Sequence, residues 1–215
     1  MINGKWNWLL ATSVLLLSAG TASAVYTPNP AGRWAPQRFF LAGDFQFNVD
    51  KDLDKPRVQL DDTVGFFVRP AYSVAPNLML YGRLGFQDAD KLKTGFAAGF
   101  GAQGAYVLPR APEWAIGGSF DFLFWDTKPK GAFSPSVEWV EFQVAPAVSY
   151  NIPRVPELTP YAGLLFDFLS GDVNQSDPVG LLFGTNFDPT NHVRLDAQFR
   201  VISETGFFLS AGYMF

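Results

Sequence analysis

From Phe39 to Phe215, apolar side chains recur at every second residue through most of the chain. A repeat of two puts those residues on one face of an extended strand, and a helix would need 3.6. Ten segments carry it: 39–49, 63–74, 78–87, 95–108, 114–126, 139–150, 159–169, 179–187, 192–202 and 206–215. In 39–49, Leu41, Phe45, Phe47 and Val49 oppose Ala42, Asp44, Gln46 and Asn48. In 192–202, Val193, Leu195, Ala197, Phe199 and Val201 oppose Arg194, Asp196, Gln198 and Arg200. The segment 179–187 is the least regular, because Leu181, Leu182 and Phe183 interrupt the alternation.

The segments fill over half of the chain, against a usual strand content of roughly 20–25%. Each is close to the 9–11 residues that a tilted strand needs to cross a bilayer. An all-β, closed antiparallel transmembrane β-barrel satisfies both facts. In hydrocarbon an open sheet edge leaves unsatisfied backbone groups, so the strands must close on themselves. Both ends on one side require an even number, which predicts ten strands, with eight as the alternative. Pro70 and Pro146 fall inside segments, where each removes a ladder donor, so bulges or local register breaks are expected there.

Composition agrees. Hydrophobic residues make up 48% of the chain, aromatic residues 16% and charged residues only 17%. Mean hydropathy is +0.07, too low for a bundle of membrane helices. A net charge of −4 argues against nucleic acid as a partner. The absence of cysteine excludes disulfides and thiolate metal sites.

The first 24 residues have the layout of an export signal. Lys5 supplies a basic start, Leu9 to Leu17 an apolar run, and Ala22-Ser23-Ala24 small residues for cleavage. Residues 25–38 carry three prolines and no repeat, and are expected to be an irregular periplasmic leader ahead of a barrel at 39–215.

If the Phe- and Leu-rich faces meet lipid, the other faces line the interior. Asp44, Arg69, Arg83, Asp121, Glu141, Asp167, Arg194, Asp196 and Arg200 then form an interior polar network, because buried charges need partners. Tyr81, Gln46, Gln87, Gln103, Gln143 and Gln198 extend it. Tyr72, Tyr106, Trp114, Tyr150, Tyr161 and Tyr213 all fall near one end of their segments, as an aromatic girdle at a membrane interface would.

The last ten residues, Gly206 to Phe215, resemble the terminal strand of bacterial outer-membrane barrel proteins, which alternates apolar residues and ends in an aromatic. Residues 193–200 are similar to the penultimate strand of the small OmpA/OmpX-type, porin-like barrels. The resemblance implies residence in the outer membrane of a diderm bacterium, among outer-membrane lipids. It also implies periplasmic chaperones during export and recognition by the barrel assembly machinery. Phe207, Leu209, Tyr213 and Phe215 would carry that assembly signal.

Enzymatic chemistry finds little support. His192 is the only histidine, and Arg194 stands where a His-Xaa-Ser arrangement needs serine. Asp121 and Glu141 could pair for acid/base work, but interior arginines offer them a structural role. The acids between Asp50 and Asp54 lack the glycine and final glutamate of a calcium loop. No cofactor is implied. The expected function is non-enzymatic, structural or porin-like, with a narrow and mostly plugged lumen, since a ten-stranded barrel lies much nearer the filled eight than the open sixteen. Two alternatives are an adhesin or enzyme built on the outer loops, and a soluble periplasmic β-barrel holding a small apolar ligand.

Overall fold

A computed structural model describes residues 28–49, 53–55, 63–89, 92–128, 137–171, 174–175, 178–202 and 205–215. The export segment lies outside these residues, as does the Asp50–Asp54 acidic stretch apart from the backbone of one short strand. Twelve strands follow in order: β1 (Phe39–Val49), β2 (Leu53–Lys55), β3 (Thr63–Ala75), β4 (Leu78–Ala89), β5 (Leu92–Leu108) and β6 (Ala111–Thr127). Then come β7 (Val137–Tyr150), β8 (Leu158–Gly171), β9 (Asn174–Gln175), β10 (Val179–Phe187), β11 (Val193–Val201) and β12 (Thr205–Met214).

Ten of them close into one antiparallel barrel, in the order β1-β12-β11-β10-β8-β7-β6-β5-β4-β3. Closure is made by β1 against β12, with Phe40 opposite Met214 and Asp44 opposite Ser210. The irregular segment 179–187 forms β10 over its expected length, so the count is ten and not eight. The remaining two strands, β2 and β9, pair with each other as a small separate sheet that the alternation does not announce.

Long strands form because each has a face for either environment. In β3 the burial alternates residue by residue, with Val64, Phe66 and Val68 outward and Phe67 and Arg69 inward. Around the barrel the outward set is Phe, Leu, Val and Tyr, half-buried to exposed, with Phe86 at 60%, while fully buried positions include Asp44, Arg69, Arg83 and Arg200. A barrel that dissolves in water and binds an apolar ligand needs the opposite arrangement, so that alternative is overturned. The chain is a closed ten-stranded antiparallel transmembrane β-barrel.

The prolines interrupt the ladder without shifting it. Pairing of β3 with β4 stops at Val68–Leu84 and resumes at Ala71–Tyr81 in the same register, across Pro70. Pairing of β7 with β8 stops at Val144–Phe166 and resumes at Ala147–Gly163, across Pro146. Register shifts occur instead near strand ends, at Ser73/Ala75, Gln87/Ala89 and Val107/Leu108. Near its end a strand can absorb an extra residue without turning its inward face outward.

Candidate functional site: a lumen closed by polar contacts and by the leader

The lumen is the candidate site. Asp44 on β1 takes two bonds from the Arg69 guanidinium of β3, Nε to Oδ2 at 2.8 Å and Nη2 to Oδ1 at 3.0 Å. Ser210 of β12 closes the triangle, donating to Asp44 at 2.6 Å and accepting from Arg69 at 3.1 Å. The arrangement spans the β1–β12 and β1–β3 seams, so it ties the first strand to both neighbours.

Arg83 of β4 lies 3.3 Å from Asp121 of β6. The Tyr81 ring sits between Arg69 and Arg83, each 5.7 Å from its centroid. On the opposite wall Tyr161 donates to Asp196 at 2.9 Å and accepts from Gln198 at 3.0 Å. Asn186 also donates to Asp196. Arg200 reaches Gln198 at 2.8 Å and lies 4.5 Å from the centroid of the Phe208 ring. Gln143 and Trp125 both donate to Glu141, at 2.8 and 3.1 Å. Gln46 and Gln87 bond to each other at 3.0 Å. Asp167 is buried among this set.

Nearer the end remote from the termini, aromatic residues fill the interior. Trp125 stacks on Trp139 at 5.5 Å and meets Phe67 edge-on at 5.8 Å.

Tyr161 is a correction to the aromatic girdle. It is 4% exposed and faces inward, because it shares its strand face with Leu165 and Asp167. Its ring lies over Gly184 of β10, where an added Cβ would come within 2.5 Å of the phenol oxygen. The other five, Tyr72, Tyr106, Trp114, Tyr150 and Tyr213, are on the outward face near the terminus end, and Trp114 packs on Tyr150 at 4.7 Å.

The leader also departs from expectation. It is irregular, but residues 28–34 fold into the mouth of the barrel at the end where Phe39 and Phe215 meet. Asn29, Ala31 and Trp34 are buried. Gln103 donates to the Asn29 carbonyl at 3.2 Å, and Ser149 to the Ala31 carbonyl at 2.9 Å. Asn29 donates its side-chain amide to Asn186. Arg194 belongs to this contact and not to the mid-barrel network. It pairs with Asp188 at 2.6 Å, lies 4.2 Å from the centroid of the Trp34 ring, and donates to the Arg33 carbonyl.

Gly117 on β6 makes room for the leader. A Cβ there would meet the Pro30 carbonyl at 2.6 Å and the Ala31 Cα at 2.7 Å. Two signals in the sequence bear on this placement: a tryptophan in an aperiodic leader, and small inward residues Ala115, Gly117, Ala145 and Ala147 on neighbouring strands.

His192 is exposed at the rim, bonded to the Met214 carbonyl at 2.8 Å and stacked on Tyr213. Asp121 and Glu141 are engaged with separate partners. Among the described residues no cluster of three or more His, Asp or Glu could hold a metal ion.

No family model and no curated protein matches the sequence. Solved structures do. The β domain of the Bordetella autotransporter BrkA is 13% identical, with a TM-score of 0.50 over 83% of this chain and 98% of that one. The translocator domain of autotransporter NalP from Neisseria meningitidis is 12% identical, with a TM-score of 0.49 over 98% and 94%. An outer membrane channel from Pseudomonas putida F1 is 12% identical, with a TM-score of 0.47 over 89% and 99%. The likeness to the Bordetella domain is one of fold alone.

Proposed function

We propose that the protein is a non-enzymatic barrel of a bacterial outer membrane, held closed by its own leader and serving a structural role with at most slow passage of small solutes. The observation that carries this reading is the seating of residues 28–34 in the terminus-end mouth, below a lumen crossed by Arg–carboxylate and glutamine contacts. In this reading the termini and the leader face the periplasm. The outward aromatic residues near that rim sit at the lipid headgroups. Phe207, Leu209 and Tyr213 on the outward face of β12, with Phe215 just after it, are presented to the assembly machinery after chaperoned export. Both supports are matters of position: these side chains lie on the lipid side of the closing strand, partly or largely exposed.

Planar-bilayer recording tests the closed lumen. Wild-type protein should show no large, stable open state. Removal of residues 28–36 should raise conductance or open-state frequency. A large stable conductance in the wild type defeats the closed reading.

A further inference from the structure

We propose that a pocket at the terminus-end rim is a phosphate site that takes the phosphodiester of a membrane phospholipid. The pocket has a volume of about 540 Å³ and opens between the leader, the link from β7 to β8 and the turn from β10 to β11. It is separate from the mid-barrel network. The inference shares with the proposed function only the placement of the aromatic rim at the lipid headgroups, and it does not need the lumen to be closed.

The pocket walls carry three guanidinium groups, of Arg33, Arg38 and Arg194, against the carboxylates of Asp188 and Glu157. Arg194 is paired with Asp188 at 2.6 Å. Arg33 is not matched in that way. Its Nη2 donates to the Glu113 carbonyl at 2.7 Å, while its Nε is buried and has no hydrogen-bond partner. Burial holds this guanidinium below its ordinary pKa, and the nearby Glu113 carboxylate only partly offsets the effect, so a further anion would stabilise the charge. Arg38 is exposed and donates to the Phe215 carbonyl at 3.3 Å, which uses one of its five N–H donors. Thr190 adds a hydroxyl. Its oxygen accepts from the His192 and Val193 N–H groups at 3.2 and 3.0 Å, so its own proton remains to be donated. Donors of this kind suit an oxyanion, and guanidinium groups in particular match phosphate.

The setting selects the ligand. Among the described residues, this end of the barrel carries Arg33, Arg38, Arg110, Arg154 and Arg194 against Glu113, Glu157 and Asp188. That is a surplus of two positive charges (five less three), and every one of the cations is an arginine. The same rim bears the outward Tyr72, Tyr106, Trp114, Tyr150 and Tyr213, residue types that collect at the depth of lipid headgroups. The pocket is continuous with that lipid face. Val193 lines it from the first position of β11 and shares the outward side of that strand with Leu195. His192, also in the wall, stacks on Tyr213. A headgroup can therefore enter while its acyl chains stay against the outer wall of the barrel. A pocket of this size also suits a whole headgroup better than a bare phosphate ion.

The test uses the exported protein purified in detergent, with bound lipid counted by native mass spectrometry. Dioleoylphosphatidylglycerol is compared with dioleoylglycerol, which has the same chains and no phosphate, and with glycerol 3-phosphate, which has phosphate and no chains. The phospholipid should bind at least about tenfold more tightly than either. Arg33→Gln and Arg38→Gln should each weaken its binding by about fivefold to tenfold, and together they should remove the preference over dioleoylglycerol. Arg110→Gln, at the same rim but outside the pocket, should leave binding unchanged. Because Arg38 is exposed, its variant reads the site on a folded barrel even where Arg33→Gln disturbs the leader.

Equal binding of dioleoylphosphatidylglycerol and dioleoylglycerol overturns the proposal. So does glycerol 3-phosphate binding as tightly as the lipid, which would make the pocket a site for soluble phosphate esters. Binding that responds equally to all three substitutions, or to none of them, also overturns it, since diffuse rim charge or the acyl chains alone would then account for the affinity. Conductance reads the closed lumen separately: a silent barrel without headgroup preference sinks only this inference, and a conducting barrel that keeps the preference sinks only the closed reading.

Discussion

Asn77 grips the backbone of Trp34 from both sides. Its side-chain oxygen accepts from the Trp34 N–H at 3.1 Å, and its own N–H donates to the Trp34 carbonyl at 3.0 Å. Asn77 is the second residue of the tight turn between β3 and β4, after Pro76, and has φ of 57°. Proline followed by a residue of positive φ is the chemistry of a type II turn, and asparagine tolerates that conformation. The turn residue thus closes a hairpin and fastens the leader at once.

Asn77→Gly should separate those two tasks. Glycine keeps the positive φ but loses the side-chain acceptor, so the hairpin survives while the Trp34 N–H loses a partner. One such bond contributes about 1 kcal/mol, so amide exchange at Trp34 should speed up by about fivefold with little change at strand amides. Unchanged exchange at Trp34 would mean that this contact does not hold the leader.

The Asp44–Arg69–Ser210 triangle predicts a non-additive pair of substitutions. Asp44→Ala leaves a buried guanidinium without its carboxylate and should destabilise the barrel by about 3–5 kcal/mol. Asp44→Ala combined with Arg69→Met removes both charges and should recover much of that loss. Urea unfolding in detergent micelles, monitored by tryptophan fluorescence, measures both. Equal losses in the single and double variants would show that the guanidinium left behind by Asp44→Ala carries no penalty, against this prediction.

Legibility in the sequence followed the alternation. Where polar and apolar residues alternate cleanly, as in Phe39–Val49, the strand, its length and its inward side were all readable. The same repeat placed Asp44, Arg69 and Arg83 on the inner wall, because a period of two leaves only one face for them. It could not say which residues meet across the lumen. The bond from Gln103 to Asn29, 74 positions apart, depends on closure and not on spacing. Tyr161 lies near a strand end, as a girdle residue would, but parity decides its face: Ala162, Leu164 and Phe168 beside it claim the outward side. The leader has no period, so only its tryptophan hinted that it needed a buried place.

Removing the Tyr161 hydroxyl tests the opposite wall. Tyr161→Phe keeps the ring over Gly184 but takes a donor from Asp196 and an acceptor from Gln198. Two buried groups then lose a partner, while Asp196 keeps Asn186. A loss of about 1–3 kcal/mol is expected in the same urea assay. A tyrosine in a lipid-interface girdle would tolerate this substitution with little effect, so the measurement also decides which side of the wall the ring occupies.

Leu84→Arg probes the outer surface at the middle of β4. Leu84 is 54% exposed in a band with Leu80 and Phe86, while its neighbour Arg83 is buried in the lumen. An arginine on the lipid side near the bilayer midplane costs about 2–4 kcal/mol, falling toward zero at the interfaces. The variant refolded into lipid vesicles should therefore unfold at clearly lower urea. Tyr72→Arg, near the terminus-end rim, should lose much less. The comparison isolates depth in the bilayer, because both positions are outward and both replace a large side chain with the same one. Equal and negligible losses at the two sites would mean that this face meets water, and the assignment of the strands as membrane-spanning would fall.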